Sequence, residues 1–316
     1  MNLRRAKEGE NADWMSFLSG KLVNIPLWDL AIPGSHDAMS YCLDRRSPVL
    51  KSESRFLQVL DRLVPCFTRP CVVRWATTQT WCISDQLNAG IRFFDLRVAC
   101  KKGSKEALYF SHGVYTLQTV KEALSAVAVW LQQHSEEVVI LVCSHFYELG
   151  EREHRHLVSF ITGLFGHKLC PPQVTPTLRH CWGSGQQVIV SYDNEDVVKQ
   201  HKQLWPMISY RYADSPDPKK VISYLEQQKA AGRPAEFFAS GLNLTEDSSY
   251  VVHHPCETMR RMTMKAVSLL LGWVEVQRPG PQSTCLNIVC GDFVDLNEFP
   301  AVVIALNDKL LMENQR

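Results

Sequence analysis

Hydrophobic positions along the chain fall into two alternating patterns. Short β-branched runs, apolar with few breaks, recur at 29–32, 91–98, 107–110, 138–143, 187–192, 208–211, 237–242 and 286–290. Runs of this kind fit parallel strands buried on both faces. Between them lie stretches with helical spacing. Thr119 is placed to cap a helix carrying Val120, Leu124, Val127 and Leu131 on one face. Pro218 stands at the first turn of another, with Val221 and Leu225 on its apolar side and Gly232 as its stop. A long helix over 257–276 aligns Met262, Ala266, Leu269, Leu270 and Trp273. About eight strands alternating with helices predict an α/β fold, an irregular TIM-type (β/α) barrel in a single domain.

Two places break the alternation. Only residues 99–106 separate the second and third runs, too few for a crossover helix, so the barrel is expected to be distorted there. Between the first two runs lies an insert at about 38–85, with an amphipathic helix (Phe56, Leu57, Leu60, Leu63, Val64) followed by PCFTRPCVVRWATTQTW. Its aromatic and basic residues (Phe67, Arg69, Arg74, Trp75, Trp81) suit either an anionic membrane edge or, for the two tryptophans, packing under the barrel. The expected organisation is an N-terminal segment over 1–24 and a barrel domain over 25–316.

Composition narrows the function classes. Of 316 residues, 45% are apolar and 21% charged, an ordinary globular balance. A net charge of +1 gives no global electrostatic case for binding nucleic acid. The 11 cysteines, an odd number with many in apolar runs and no CxxC pair, suggest reduced thiols in a cytoplasmic protein. The start MNLRRAKEGENADW lacks a signal peptide's apolar core, and Asn2 excludes N-myristoylation. The longest apolar stretch, AVSLLLGWV at 266–274, falls far short of the roughly 20 residues that span a bilayer. Any membrane contact is therefore expected to be peripheral and reversible.

Polar residues collect just past the strands. The first run leads into Ser35-His36-Asp37, the second holds Asp95 and Arg97, and the third leads into Ser111-His112-Gly113. Later ends supply Ser144-His145, Tyr192-Asp193, Arg211, Asn243 and Gly291-Asp292. In a barrel these ends converge on one face. Asp95 and Arg97, two apart on a strand, share a side. Two histidines suit paired proton transfers, Asp37 and Asp292 are candidate partners fixing their tautomers, and Arg97 suits a phosphate. Tyr192 and Asp193 are candidate ligands for substrate hydroxyls or strand-end packing residues. His145 reads as structural.

The segments AIPGSHDAMSY (31–41), GIRFFDLRV (90–98), YFSHGVY (109–115), EEVVILVCSHF (136–146), GQQVIVSYD (185–193) and NIVCGDFV (287–294) resemble the phosphatidylinositol-specific phospholipase C X domain, as in the vertebrate X-domain-containing proteins. The resemblance spans nearly the whole chain. It implies a distorted TIM barrel and cleavage of an inositol phospholipid at a membrane surface, giving diacylglycerol and an inositol phosphate through a 1,2-cyclic phosphate. By the same resemblance His36 matches the general base and His112 the general acid. Asp37 matches the carboxylate paired with the acid histidine, Asp292 the carboxylate orienting the base, and Arg97 the phosphate-binding arginine. Asp95 and Ser144 fall at substrate-binding positions. Calcium-dependent members have Asn after the first His, a Glu-x-Asp pair on the second strand and a Glu after the fourth. Here Asp37, Asp95-x-Arg97 and Ser144 occupy those places, which resembles the metal-independent arrangement, with no cofactor expected. The bacterial lysine after the fourth strand is absent. The alternative is a catalytically inactive X-domain protein that binds phosphoinositide headgroups.

Overall fold

The computed structural model describes residues 11–104, 106–254 and 257–312, so most of the polar start and Cys256 lie outside the described residues. Nine strands form one sheet: β1 Ile32–Ser35, β2 Phe93–Cys100, β3 Leu108–His112, β4 Val114–Thr119, β5 Val139–Tyr147, β6 Val188–Tyr192, β7 Ser209–Arg211, β8 Phe238–Gly241 and β9 Ile288–Gly291. Each of the eight expected runs overlaps a strand. The first starts late, because Leu27–Asp29 forms a 3-10 turn and pairing with β9 begins only at Ile32.

Seven strands run parallel in the order β7-β8-β9-β1-β2-β5-β6. This is the irregular TIM-type α/β barrel in one domain. Between β6 and β7 there is a seam without a ladder among the described residues. A bridge from Ser191 to Trp205 and a hydrogen bond from the Ile208 amide to Ser191 Oγ (3.0 Å) span it. The short link after β2 has its explanation in β4, a strand the hydrophobic pattern did not reveal. The β2–β3 and β3–β4 pairings are antiparallel, so they need hairpin turns rather than a crossover.

Period-two alternation sorts the strand residues into two layers. Ile32, Phe93, Ile140, Val142, Ile189, Ile288 and Cys290 pack inside the barrel. Phe94, Leu96, Val139, Leu141, Val188, Val190 and Val289 pack outward under the helices. Gly34 belongs to the inner set, and a Cβ there would meet Cys290 Sγ at 2.5 Å and Phe93 Cδ1 at 3.0 Å. Only a glycine lets β1 pass through this crowded level to carry His36 above it.

The helices form where expected, Val120–Gln133 with a Thr119–Glu122 capping box, Pro218–Ala230 and Met259–Glu275, but Leu269, expected on the buried face of the last, is exposed because that face turns toward Leu270 and Trp273. The insert folds as a helical hairpin, α1 Arg55–Leu63 and α2 Pro65–Ala76. Residues 11–24 are not set apart from the barrel. Trp14, Met15, Leu22 and Val23 are buried in the inner cluster and close its lower end. No disulfide joins the described cysteines. Among the described residues no helix is long and apolar enough to cross a membrane.

The lower end is tied by a fully buried ion pair. Arg92 Nη2 lies 2.7 Å from Glu137 Oε2, and both side chains have 0% exposure. Arg92 also donates to the carbonyls of Leu87, Ile91 and Ala12, while Glu137 accepts the amides of Met15 and Ser16. Removing one partner strands a buried charge. Glu137→Leu is therefore expected to cost about 3–5 kcal/mol of unfolding free energy in urea titration. A loss below about 1 kcal/mol would show that the pair does not tie the N-terminal segment to the barrel.

Candidate active site

The C-terminal ends of the strands surround a cavity of about 410 Å³ lined by His36, Asp95, Arg97, His112, Ser144 and His145, among others. Their placement follows from strand parity. His36 continues the inner series Ile32, Gly34; Asp95 and Arg97 continue from Phe93; Ser144 continues from Val142; Asp292 continues from Cys290. The barrel interior is apolar below and polar at the rim because the same faces pass out of the packed core.

Arg97 stands at the centre. Its Nη2 is 2.7 Å from His36 Nε2, its Nη1 is 3.3 Å from Asp37 Oδ2 and its Nε is 3.3 Å from Asp95 Oδ2. On the other side of its ring, His36 Nδ1 is 2.7 Å from Asp292 Oδ1. A carboxylate only accepts and a guanidinium only donates. His36 is therefore protonated on Nδ1 and offers a lone pair at Nε2. The backbone of Asp37 has φ +47°, which turns its side chain back under Arg97 while its amide donates to Asp95 Oδ2 at 3.1 Å.

His112 is arranged oppositely. It comes from the β3–β4 hairpin rather than from a parallel strand. Its Nδ1 donates to the carbonyl of Ala76, the last residue of α2, at 2.7 Å, with Asp37 Oδ2 beside it at 2.8 Å. The side chain keeps 30% exposure and its ring borders the cavity. Burial pushes the imidazole down, but the Asp37 carboxylate and its hydrogen bond outweigh this and hold His112 above the ordinary histidine range. The carbonyl end of α2 favours the cation further. Burial would raise the Asp37 carboxyl, yet Arg97 first and then His112 hold it well below the usual carboxylate range. For Arg97 itself, burial opposes the charge, and Asp37 and Asp95 more than restore it.

The insert completes the site. Gly113, in the β3–β4 turn at φ +69°, would place a Cβ 2.9 Å from Val72 Cγ1, so glycine lets α2 pack against the hairpin. Gln79, fully buried, donates from Nε2 to the carbonyls of His36 (2.9 Å) and Gly291 (3.0 Å), clamping the ends of β1 and β9. Trp75 is buried and lines the cavity, with its ring edge-on to Tyr250 at 6.0 Å.

Seven of the nine expected site residues converge: His36, Asp37, Asp95, Arg97, His112, Ser144 and Asp292. Tyr192 and Asp193 do not join them. Tyr192 falls on the outward parity of β6 and is buried under the helices, its hydroxyl 2.7 Å from His154 Nδ1. Asp193 lies beyond the strand and is exposed. The sequence reading passed over Gln79, Tyr210, Asp214 and Glu246, and took His145, which lines the cavity, as structural. Only His145 carried a signal, its position directly after Ser144 at a strand end. Asp214 and Glu246 come from loops with no pattern.

A (β/α) barrel whose upper rim holds two His–Asp pairs around one arginine defines the class of this site. The family model PI-PLC X 1 matches residues 72–217. The chain is 52% identical over 298 residues to PI-PLC X domain-containing protein 1 of Danio rerio, covering 93% of this chain and 96% of that protein. It is 46% identical over 302 residues to the protein of the same name in Homo sapiens, covering 95% and 94%. The chain belongs to the PI-PLC X domain-containing proteins. In fold it is similar to the phosphatidylinositol-specific phospholipase C of Listeria monocytogenes, with a TM-score of 0.65 at 18% identity over 93% of this chain and 97% of that one. The same enzyme from Staphylococcus aureus, in a structure concerned with its membrane binding, gives a TM-score of 0.65 at 13% identity over 95% and 98%.

The Asp37–His112 contact makes a prediction that needs no substrate. Asp37→Asn removes the anion but leaves the burial, so the His112 titration is expected to move from above the ordinary histidine value to below it. Proton NMR of the ring across pH reads this directly. An unmoved titration would assign the raised affinity for protons to another group.

Proposed function

We propose that this protein is a phosphoric diester hydrolase that cleaves an inositol phospholipid at a membrane surface by paired histidine catalysis, without a metal. The observation that carries this reading is the opposite preparation of two histidines bordering one cavity. His36 holds its proton at Asp292 and offers Nε2 as a base, and His112 is held toward the cation and suits an acid.

The reaction follows from those states. His36 Nε2 takes the proton of the inositol 2-hydroxyl as its oxygen bonds to phosphorus. Arg97 moves from His36 to the phosphoryl oxygens and neutralises their charge. The phosphorus–glycerol oxygen bond breaks, and His112 gives its proton to the departing diacylglycerol oxygen. The 1,2-cyclic phosphate is then opened by water with the two proton transfers reversed, giving the inositol phosphate. Asp37 positions and charges His112, and Asp292 fixes the tautomer of His36. A guanidinium bonded to both Asp37 and Asp95 leaves those carboxylates poor hosts for a hard cation.

The helical hairpin supports contact with a lipid surface. Phe56, Leu63 and Phe67 are 71%, 72% and 77% exposed on α1 and α2. Residues 44–76 hold seven Lys/Arg against three Asp/Glu, a net +4 in a chain of net +1. An exposed apolar ridge on a locally basic segment suits an anionic leaflet. Of the residues read as a possible membrane edge, Phe67 lies on this ridge, whereas Trp75 is buried and lines the cavity. The many cysteines in apolar runs suit a reducing compartment, which supports a substrate on a cytoplasmic leaflet.

Purified protein incubated with phosphatidylinositol vesicles is expected to release inositol phosphate with or without chelator. His36→Ala and His112→Ala are each expected to lower the rate by about 10²–10⁴-fold with the unfolding curve retained. Headgroup binding without turnover in the wild type would select the inactive binder instead. In vesicle sedimentation, Phe67→Ala is expected to weaken partition about tenfold, the loss of one aromatic's burial. Equal sedimentation of this variant and the wild type would remove the ridge from the contact.

A further inference from the structure

The residues given roles in the reaction do not exhaust the cavity. His145, Asp214 and Glu246 also line it, and among the described lining residues Arg97 is the one arginine or lysine. His145 has φ +49°, a backbone conformation that non-glycine residues seldom adopt and that tends to persist where it serves a site.

Its protonation can be traced through a relay. Asp95 accepts the Asp37 amide and Arg97 Nε on Oδ2 and the Ser144 hydroxyl on Oδ1, the last at 3.2 Å. Ser144 is fully buried and has one proton, which is committed to Asp95. Ser144 Oγ therefore meets His145 Nδ1, 2.9 Å away, as an acceptor. The His145 proton sits on Nδ1, and Nε2 keeps a lone pair with no partner among the described residues. His145 lines the cavity yet is exposed, and its partial desolvation there, with Arg97 adding to it, lowers it below the ordinary histidine range.

We propose that His145 is a specificity-determining residue whose Nε2 accepts a hydrogen bond from a ring hydroxyl of the headgroup, so that the cavity takes an inositol with free hydroxyls in preference to one bearing further phosphates. This rests on the cavity being the phosphodiester site proposed above. A further phosphate monoester brings a charge of about −1.5 to −2 and calls for its own Arg or Lys. Arg97 is already shared among Asp37, Asp95, His36 and the reacting diester. Beside His36 and His112, which serve the diester, the ionisable lining groups are Asp95, Asp214, Glu246, the His145 imidazole and the hydroxyls of Tyr210 and Tyr212; none is a further fixed cation, and they suit hydroxyl groups better than an added anion. Burial pushes the Glu246 carboxyl up, and in either protonation state it can accept from a hydroxyl.

The test separates binding from turnover. Calorimetry on the wild-type protein with myo-inositol 1-phosphate and with myo-inositol 1,4-bisphosphate should show the former binding at least about tenfold tighter. Equal affinities, the opposite order, or no binding of either would overturn the inference. Nitrogen NMR of the free protein should show His145 neutral and protonated on Nδ1; protonation on Nε2 would overturn it. His145→Leu should raise KM for phosphatidylinositol about tenfold while changing kcat less than about threefold, and His145→Gln, which keeps an acceptor, should recover part of the loss. Unchanged KM in His145→Leu would overturn the role of His145. Selective binding of the monophosphate without cleavage of any inositol lipid would overturn the proposed reaction and support the cavity's selectivity. Cleavage with preference for phosphorylated lipid would do the reverse.

Discussion

Everything at the rim of this barrel is arranged around one buried positive charge. Arg97 cannot shed its proton and cannot sit unpaired at this depth. Asp37 and Asp95 meet that demand, and the consequences spread outward from them. Asp37, drawn under the guanidinium, is brought within 2.8 Å of His112 and holds that ring toward its cation. Asp95, drawn to the same charge, collects the Asp37 amide and the Ser144 hydroxyl. His36 takes a donor from Nη2 and so has its tautomer fixed from both sides, by Arg97 at Nε2 and by Asp292 at Nδ1. One guanidinium thus sets up the environments of three acidic or basic groups at once.

The two ends of the barrel solve the problem of buried charge differently. At the bottom, Arg92 and Glu137 are fully enclosed and saturated by backbone groups, so nothing about them can change without unfolding the closure. At the top, the pairings are longer and fewer. Arg97 meets its carboxylates at 3.3 Å, and Asp37 Oδ2 is buried without a full hydrogen bond. A saturated pair suits a structural tie. An under-saturated cluster suits a site where an incoming anion must displace a contact and find the donor still available.

Most of the fold was legible because strand and helix spacing record burial. The runs at 138–143 and 187–192 lie on both faces in packed layers, and unbroken apolar residues say so. β4 was not legible: VYTLQT alternates weakly, and its existence depends on the hairpin with β3, a tertiary fact. At the site, period two was sufficient for Asp95, Arg97, His36 and Ser144, which prolong inner-face series. The same rule, applied from Ile189 and Ser191, puts Tyr192 on the outer face, so that residue was readable and was misplaced only because strand-end position was weighed above parity. Gln79 and Glu246 were beyond reach, since a lone glutamine or glutamate in a loop has no spacing to betray what the fold brings to it.

The insert changes how the site should be regarded. In a regular barrel each catalytic side chain is held by its own strand. Here His112 sits on a hairpin, and its Nδ1 proton is fixed by the carbonyl of Ala76, a group supplied by α2. The same helix carries Phe67, nine residues earlier and about 14 Å away along the axis, out into solvent. One helix therefore joins the exposed apolar ridge to His112. Pro70 lies between the two and removes one backbone hydrogen bond from the helix. The insert thus reaches both histidines, His112 through the Ala76 carbonyl and His36 through Gln79, which clamps the ends of β1 and β9.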